Sequence, residues 1–477
     1  MEFDLTKPYC FYFNELSKIP RGSRNEKAVS DYVVSFAKEQ GLPYIQDAVY
    51  NVIIDKPGTP GYEDAPCVIM QAHLDMVCEK NNDSDHDFTK DPLDLYVDEE
   101  GWLHARGTTL GADDGMGVAY MMAILASKDI PHPPVSCVFT TMEEIGLLGA
   151  SAITKDMVHG KRMINLDGGG ETATTVSSAG GASAYMHCPL KFEENTKPAY
   201  VLKIRGLLGG HSGAEIHKER GNANKIAARI LKEAQLYGLD ITLVSFSGGL
   251  KYNAIPREAD VCFVSSAAKE ELEKSLAASA EKIKAELEFS DAGFKAVLET
   301  AEASQAIAKE ISDRFLNFVF LMPDGFRHKS MAIEGLTAAS LNCGVIRTDE
   351  NEIVIEDLVR SALASHTDIM LEQLQVLSSL LGIELKVSDR YAGWAYSETS
   401  QMRDYLEEAV AEHGGILMKK ASHGGLECGI FKGLEPEMDI ITFGPIAQNS
   451  HTPQERLDLA SFDRSYDILC DVLKKCR

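Results

Sequence analysis

A chain of 477 residues is too long for one compact core, so two or more domains are expected, each large enough to bury a core without staples. Its 44% hydrophobic and 25% charged residues are those of ordinary soluble globular proteins, and no window approaches the roughly eighteen apolar residues of a membrane span. With 47 basic against 72 acidic residues, the formal charge of -25 repels nucleic acid and anionic membranes at long range and argues against either as a partner.

The chain opens on MEFDLTKPYCFYFNEL, which has early acidic residues and no basic start before an apolar run. No secretory signal is expected, and the cytoplasm is the expected compartment. Four short apolar runs then predict strands: CVIMQA at 67–72, VSCVFTT at 135–141, RMINL at 162–166 and DIITF at 439–443. Each leads into polar or glycine-rich sequence, where a strand should end. Between the first two, GMGVAYMMAILAS at 115–127 predicts a buried helix, giving a strand, helix and strand crossover.

From residue 186 the texture changes to strand-like segments such as AYVLKIRG and long amphipathic helices. Leu272, Leu276, Ile283 and Leu287 fall on one helical stripe. A further strand-like run, VIRTDENEIVIEDLVRS, is followed by the helical ALASHTDIMLEQLQVLSSLLG. The fold class read from this order is α/β: a mostly parallel sheet flanked by helices in a catalytic domain of residues 1–185 and 393–477, with an inserted α+β lid domain at 186–392.

The chemistry-bearing residues gather where the strands end. His73 and Asp75 follow the first run, Glu143 and Glu144 the second, Asp167 the third, and His451 lies in the loop after the fourth. A single H-x-D or E-E is common in solvated loops, but the carboxyl ends of parallel strands form one crevice, so four such ends with the same polarity converge. Asp113 and Asp114 start the predicted helix, where the helix dipole favours a carboxylate, with Gly111, Gly115 and Gly117 allowing close backbone approach. The ten cysteines contain no C-x-x-C pair, so they suit neither a disulfide framework nor a thiolate zinc site and are expected to be mostly reduced and buried. A metal site must therefore draw on histidine and carboxylate, which suit zinc, or cobalt or manganese. Five ligands with one bridging carboxylate can hold two ions, and the pair Glu143 and Glu144 allows one ligand and one base.

QAHLDMV, GADDG, TMEEIGLLGA, LDGGG, GGHSG and NSHTPQE, in that order, resemble the co-catalytic zinc metallopeptidases that include aminoacylase, carboxypeptidase G and peptidase T. The closest resemblance is to their aminoacyl-histidine dipeptidase branch, which includes enzymes that cleave carnosine. The resemblance implies two divalent ions, zinc first, with Asp113 bridging, His73 and Asp167 on one ion, and Glu144 and His451 on the other. It makes Glu143 the general base for a metal-activated water, sets Asp75 behind His73, and implies a cis bond between Asp113 and Asp114. From the lid it implies His211 as oxyanion donor, with Asn253 and Arg360 on the substrate carboxylate and Gly424 and Gly425 lining the pocket. Gly115 stands where the wider family has lysine.

The implied reaction is hydrolysis of dipeptides, of Xaa-His type such as carnosine, with a small peptide as partner and a homodimer through the lid as one arrangement. Two other readings stay open: a tripeptide aminopeptidase or N-acyl amino acid hydrolase with the same site, and a non-catalytic scaffold derived from the fold. Neither G-x-G-x-x-G after a strand nor a phosphate-binding G-x-x-x-x-G-K-[ST] occurs, so nucleotide chemistry is unsupported.

Overall fold

In the computed structural model, which describes residues 3–477, the first three apolar runs form β1 (Val68–His73), β2 (Val135–Thr140) and β3 (Arg162–Asn165). β1 pairs parallel with both others, in registers Val68↔Val135 and Val68↔Arg162, and the strand Asp439–Thr442 continues the sheet parallel to β3. Tyr44–Gln46 and Val52–Lys56 complete the six strands, added antiparallel beyond β2. Alternate residues serve opposite faces. Val68, Met70, Ala72, Cys137, Phe139 and Ile164 share a core with α1 (Ala112–Ala126) and the helix Leu459–Lys475. Ile69, Val138, Met163 and Ile440 share another with α2 (Glu427–Leu434). Each of the valine, isoleucine, methionine and phenylalanine side chains among them contributes roughly 1.5–3 kcal/mol by leaving water. Burial on both faces is why these strands read as unbroken apolar runs.

This first unit comprises the chain up to Ser177, Trp394–Ala421 and Leu426–Arg477. The second comprises Ser178–Gly393 with Ser422–Gly425. It is built on a nine-stranded antiparallel sheet, which includes β4 (Gly180–Pro189), β7 (Thr337–Thr348), β8 (Glu352–Ser361) and β9 (Glu384–Tyr391) in the order β7, β8, β4, β9. A separate pair, β5 (Gly210–His211) and β6 (Ala254–Ile255), places His211 opposite Ala254. The helices Ala223–Leu236, Lys269–Glu286, Lys309–Leu321 and Ala364–Leu381 share one core with the large sheet. Leu272, Leu276 and Ile283 of the predicted stripe are buried there, and Leu287 caps the helix. All ten cysteines are free and most are buried. Among the described residues no helix is long and apolar enough to cross a membrane.

Candidate metal centre

His73 ends β1, and its Nε2 lies 2.9 Å from Asp113 Oδ1. The other oxygen of Asp113 is 3.3 Å from His451 Nε2, which also lies 2.9 Å from Glu144 Oε1. One carboxylate therefore faces two imidazoles. In each of the groups His73, Asp113, Asp167 and Asp113, Glu144, His451, the potential ligand atoms lie within 4.8 Å of one another. Glu143 groups in the same way with His73 and Glu144, so it faces the same space. Nitrogen and oxygen donors at this spacing suit a borderline divalent cation. Four carboxylates against two imidazoles leave excess negative charge, and Glu144 Oε1 is buried without a hydrogen-bond partner, the imidazole of His451 approaching it off the bond axis. Both features fit residues that hold cations.

Local backbone geometry sets these groups. Asp113 and Asp114 depart from helical angles at the head of α1, and the peptide bond between them is cis, as the resemblance implied. The carboxylates thus sit on a kinked entry to the helix, where the sequence placed them in its first turn. A Cβ on Gly117 would meet Asp114 Oδ1 at 2.6 Å and Leu166 Cβ at 2.7 Å, so a side chain there would push the aspartate pair away. Met142 and His451 both take left-handed backbone, at φ 51° and 66°, which for residues with side chains is strained and typical of functional sites.

Behind the ligands lies a frame of hydrogen bonds. Asp75 is fully buried; its Oδ1 accepts from the Glu143 amide at 3.0 Å and lies 3.5 Å from His73 Nδ1, and its Oδ2 accepts from Ser23 Oγ at 2.8 Å. The carboxylate of Glu455 accepts from the amides of Leu110, Gly111 and Asp113 at 2.8, 2.9 and 3.3 Å, gripping the loop that presents Asp113. Arg21, 3% exposed, donates to the carbonyls of Leu74 and Asp75 at 2.9 and 3.1 Å. Glu427, on α2, accepts from Gln71 Nε2 at 2.5 Å and Thr140 Oγ1 at 2.9 Å, and Gln71 Oε1 in turn accepts from Asn165 Nδ2 at 2.6 Å. Gln71 and Asn165 stand two residues before His73 and Asp167, so this network cross-ties the strand ends beneath the candidate ligands. Sequence reasoning passed over Arg21, Glu427 and Glu455. Glu455 closes the NSHTPQE motif and was within reach; a lone arginine and a glutamate after glycines give no signal.

Electrostatics follow from burial. Burial pushes the Glu143 carboxyl up to about 7, and the charges of Glu144 and Asp113 add to this against the pull of His73. Burial also raises Asp167 well above the usual carboxylate range, with Asp113 and Asp114 adding to it. For Asp113 burial acts upward too, but hydrogen bonds from His451 and His73 outweigh it and hold the carboxyl low. The carboxylates of Asp113 and Glu144 beside it lift His451 to about 10. Cation binding at these groups would displace the protons they hold in its absence.

The lid-side candidates lie in the second unit. His211 is exposed, and its Nδ1 accepts from the amides of Gly213 and Ala214, both at 3.1 Å. That fixes the neutral ring with its proton on Nε2. Partial desolvation of the ring lowers its basicity, and the charge of Arg360 lowers it further. Asn253 lies in the turn before β6, its carbonyl accepting from the Ser212 amide at 3.0 Å. Asn342 on β7 donates to the carbonyls of Tyr252 and Ala254 at 2.8 and 2.9 Å, bracketing Asn253. Arg360, on β8 opposite Gly181, is 7% exposed and donates from Nη1 to the Tyr391 hydroxyl at 3.1 Å. His423 is buried against Ser340, Nε2 to Oγ 2.8 Å; the carbonyl of Gly424 accepts from the Ala179 amide at 2.9 Å, and Gly425 lies against the Tyr391 ring. Tyr391, Ser340 and Asn342 were not singled out from sequence, because their contacts join distant strands.

The sequence pattern of peptidase family M20/M25/M40 matches residues 69–475. The chain belongs to this family. It is 35% identical over 480 residues to the cytosol non-specific dipeptidase of Escherichia coli strain K12, covering 98% of this chain and 97% of that protein. The crystal structure of aminoacylhistidine dipeptidase from Vibrio alginolyticus superposes with a TM-score of 0.91 at 35% identity, over 100% of this chain and 98% of that one. The aminopeptidase PepT from Bacillus cereus shares the fold, with a TM-score of 0.57 at 14% identity over the whole of both chains. The fold class and the resemblance read from the ordered motifs are borne out, and this member of the M20/M25/M40 peptidases is a peptide hydrolase.

Proposed function

We propose that the chain is a dipeptidase working with two divalent cations, zinc first, held by His73, Asp113 and Asp167 on one side and Asp113, Glu144 and His451 on the other. The observation that carries this reading is Asp113, whose two oxygens face His73 and His451 separately at 2.9 and 3.3 Å. Such cations, when bound, polarise the scissile carbonyl and acidify the attacking water. Glu143 takes the proton of that water and returns it to the leaving amine. Asp75 holds the His73 ring and the Glu143 amide in place. His211, with its proton on Nε2, donates to the developing oxyanion. Arg360 and Asn253 hold the substrate carboxylate, and Gly424 and Gly425 let the peptide pass close to the backbone.

The substrates of first choice are Xaa-His dipeptides such as carnosine, in keeping with the name of the Vibrio relative, within the broader dipeptide range that the name of the Escherichia coli relative implies. That second name and the acidic charge also favour the cytoplasm. A homodimer through the second unit is supported by an apolar stripe on Ala364–Leu381, where Ile369, Val376 and Leu380 are 46%, 60% and 77% exposed. The decisive test of the chemistry is Glu143→Ala. It should lower kcat by roughly a hundredfold or more while bound metal stays at the wild-type level. Wild-type turnover in this variant would overturn the assignment.

A further inference from the structure

Arg360 is a buried cation without an acidic partner. Its one hydrogen-bond partner among the described residues is the Tyr391 hydroxyl, and its Nε is buried with none. A guanidinium so placed is costly unless an anion completes it. The chain goes to some length to bring Tyr391 there. β9 pairs with β4 through an irregularity between Ser388 and Tyr391, where Asp389 takes a left-handed φ of 50°. Bulges of this kind re-aim a side chain. Two glycines distant in sequence then keep a slot for the ring: a Cβ on Gly181 would meet the Tyr391 hydroxyl at 2.8 Å, and one on Gly425 would meet Cε2 at 3.0 Å. The hydroxyl oxygen accepts from Arg360, so its own proton is free to donate, and no acceptor for it lies among the described residues.

We infer that the Tyr391 hydroxyl and the Arg360 guanidinium together seat the free terminal carboxylate of the peptide, which makes Tyr391 a determinant of specificity for an unblocked C-terminus. This rests on the reading of Arg360 given above. A carboxylate accepts from every donor that the pair presents. A terminal carboxamide would turn an N-H toward a guanidinium and a hydroxyl proton that also donate, so it is rejected.

The test compares hydrolysis of a dipeptide with that of its C-terminal amide by the metal-loaded full chain, for wild type, Tyr391→Phe and Arg360→Met. Tyr391→Phe should lower kcat/KM for the dipeptide roughly ten- to a hundredfold, chiefly through KM, and leave the amide nearly unaffected, so the preference for a free carboxylate shrinks by the same factor. Gly425→Ala, which crowds the ring without removing the hydroxyl, should shrink the preference in the same direction and covers the case of a Phe variant that does not fold. If Arg360→Met removes the preference while Tyr391→Phe and Gly425→Ala keep it, Tyr391 is only a prop for the arginine and the inference is overturned with the Arg360 reading intact. If the preference survives Arg360→Met, that reading falls, and the inference with it.

Discussion

Asp75 links a histidine ring to the backbone of the acidic pair, and the linkage needs a carboxylate. Asp75→Asn would turn an amide N-H toward either the Glu143 amide, from which Oδ1 accepts, or the Glu144 amide, from which Oδ2 accepts, leaving a buried donor without an acceptor. The expected outcome is a loss of metal affinity of roughly 10- to 100-fold, read by competition with a metal indicator. Glu427 supplies a pH prediction for the metal-free chain. Burial, reinforced by the charge of Glu143, pushes its carboxyl up to about 8 from an ordinary 4.5. The fold therefore favours the protonated form; that stabilisation is full below about 4.5 and is lost as pH rises through about 8. Glu427→Gln removes this titration, so thermal midpoints measured across that window should fall less steeply with pH than those of wild type. At this level the sequence exposed Asp75, because H-x-D is a local pattern. It concealed Glu427, a helix residue whose partners Gln71 and Thr140 come from two strands distant in sequence.

Secondary-structure elements act here as carriers that end where chemistry begins. β1, β2 and β3 were legible because a sheet buried on both faces writes itself as unbroken apolar runs, and His73, Glu143 and Asp167 were legible because polarity changes abruptly where those runs stop. The second unit was less so. Its two-residue strands β5 and β6 are too short to show a period, and the irregularity in β9 that turns Tyr391 leaves no mark in composition. The arm that carries His211 and Asn253 depends on Asn342, which holds the carbonyls on either side of Asn253. Asn342→Ala should loosen this arm, with faster amide exchange at residues 251–255 and, on the role proposed for His211 as oxyanion donor, kcat lowered roughly tenfold. Unchanged exchange there would separate Asn342 from the placement of His211.

Across the whole molecule, the acidic balance was visible in composition, while the catalytic reading needed the motifs taken together. The packing of Ser422–Gly425 with the second unit was not visible, since that short stretch lies in sequence between segments of the first. A chain whose proposed ligands come from five separate segments would be held partly by whatever those ligands bind. Adding zinc to the metal-free chain should therefore raise the thermal midpoint, and the rise should grow with free metal as mass action requires. The central claim is a dinuclear centre organised by Asp113. Its most direct test is metal analysis of the purified chain by mass spectrometry, before and after chelation, with dipeptide hydrolysis followed on the same samples as metal is restored. The account predicts close to two divalent cations per chain, activity abolished on their removal and regained with their return. Full hydrolysis by a chain stripped of metal would contradict it.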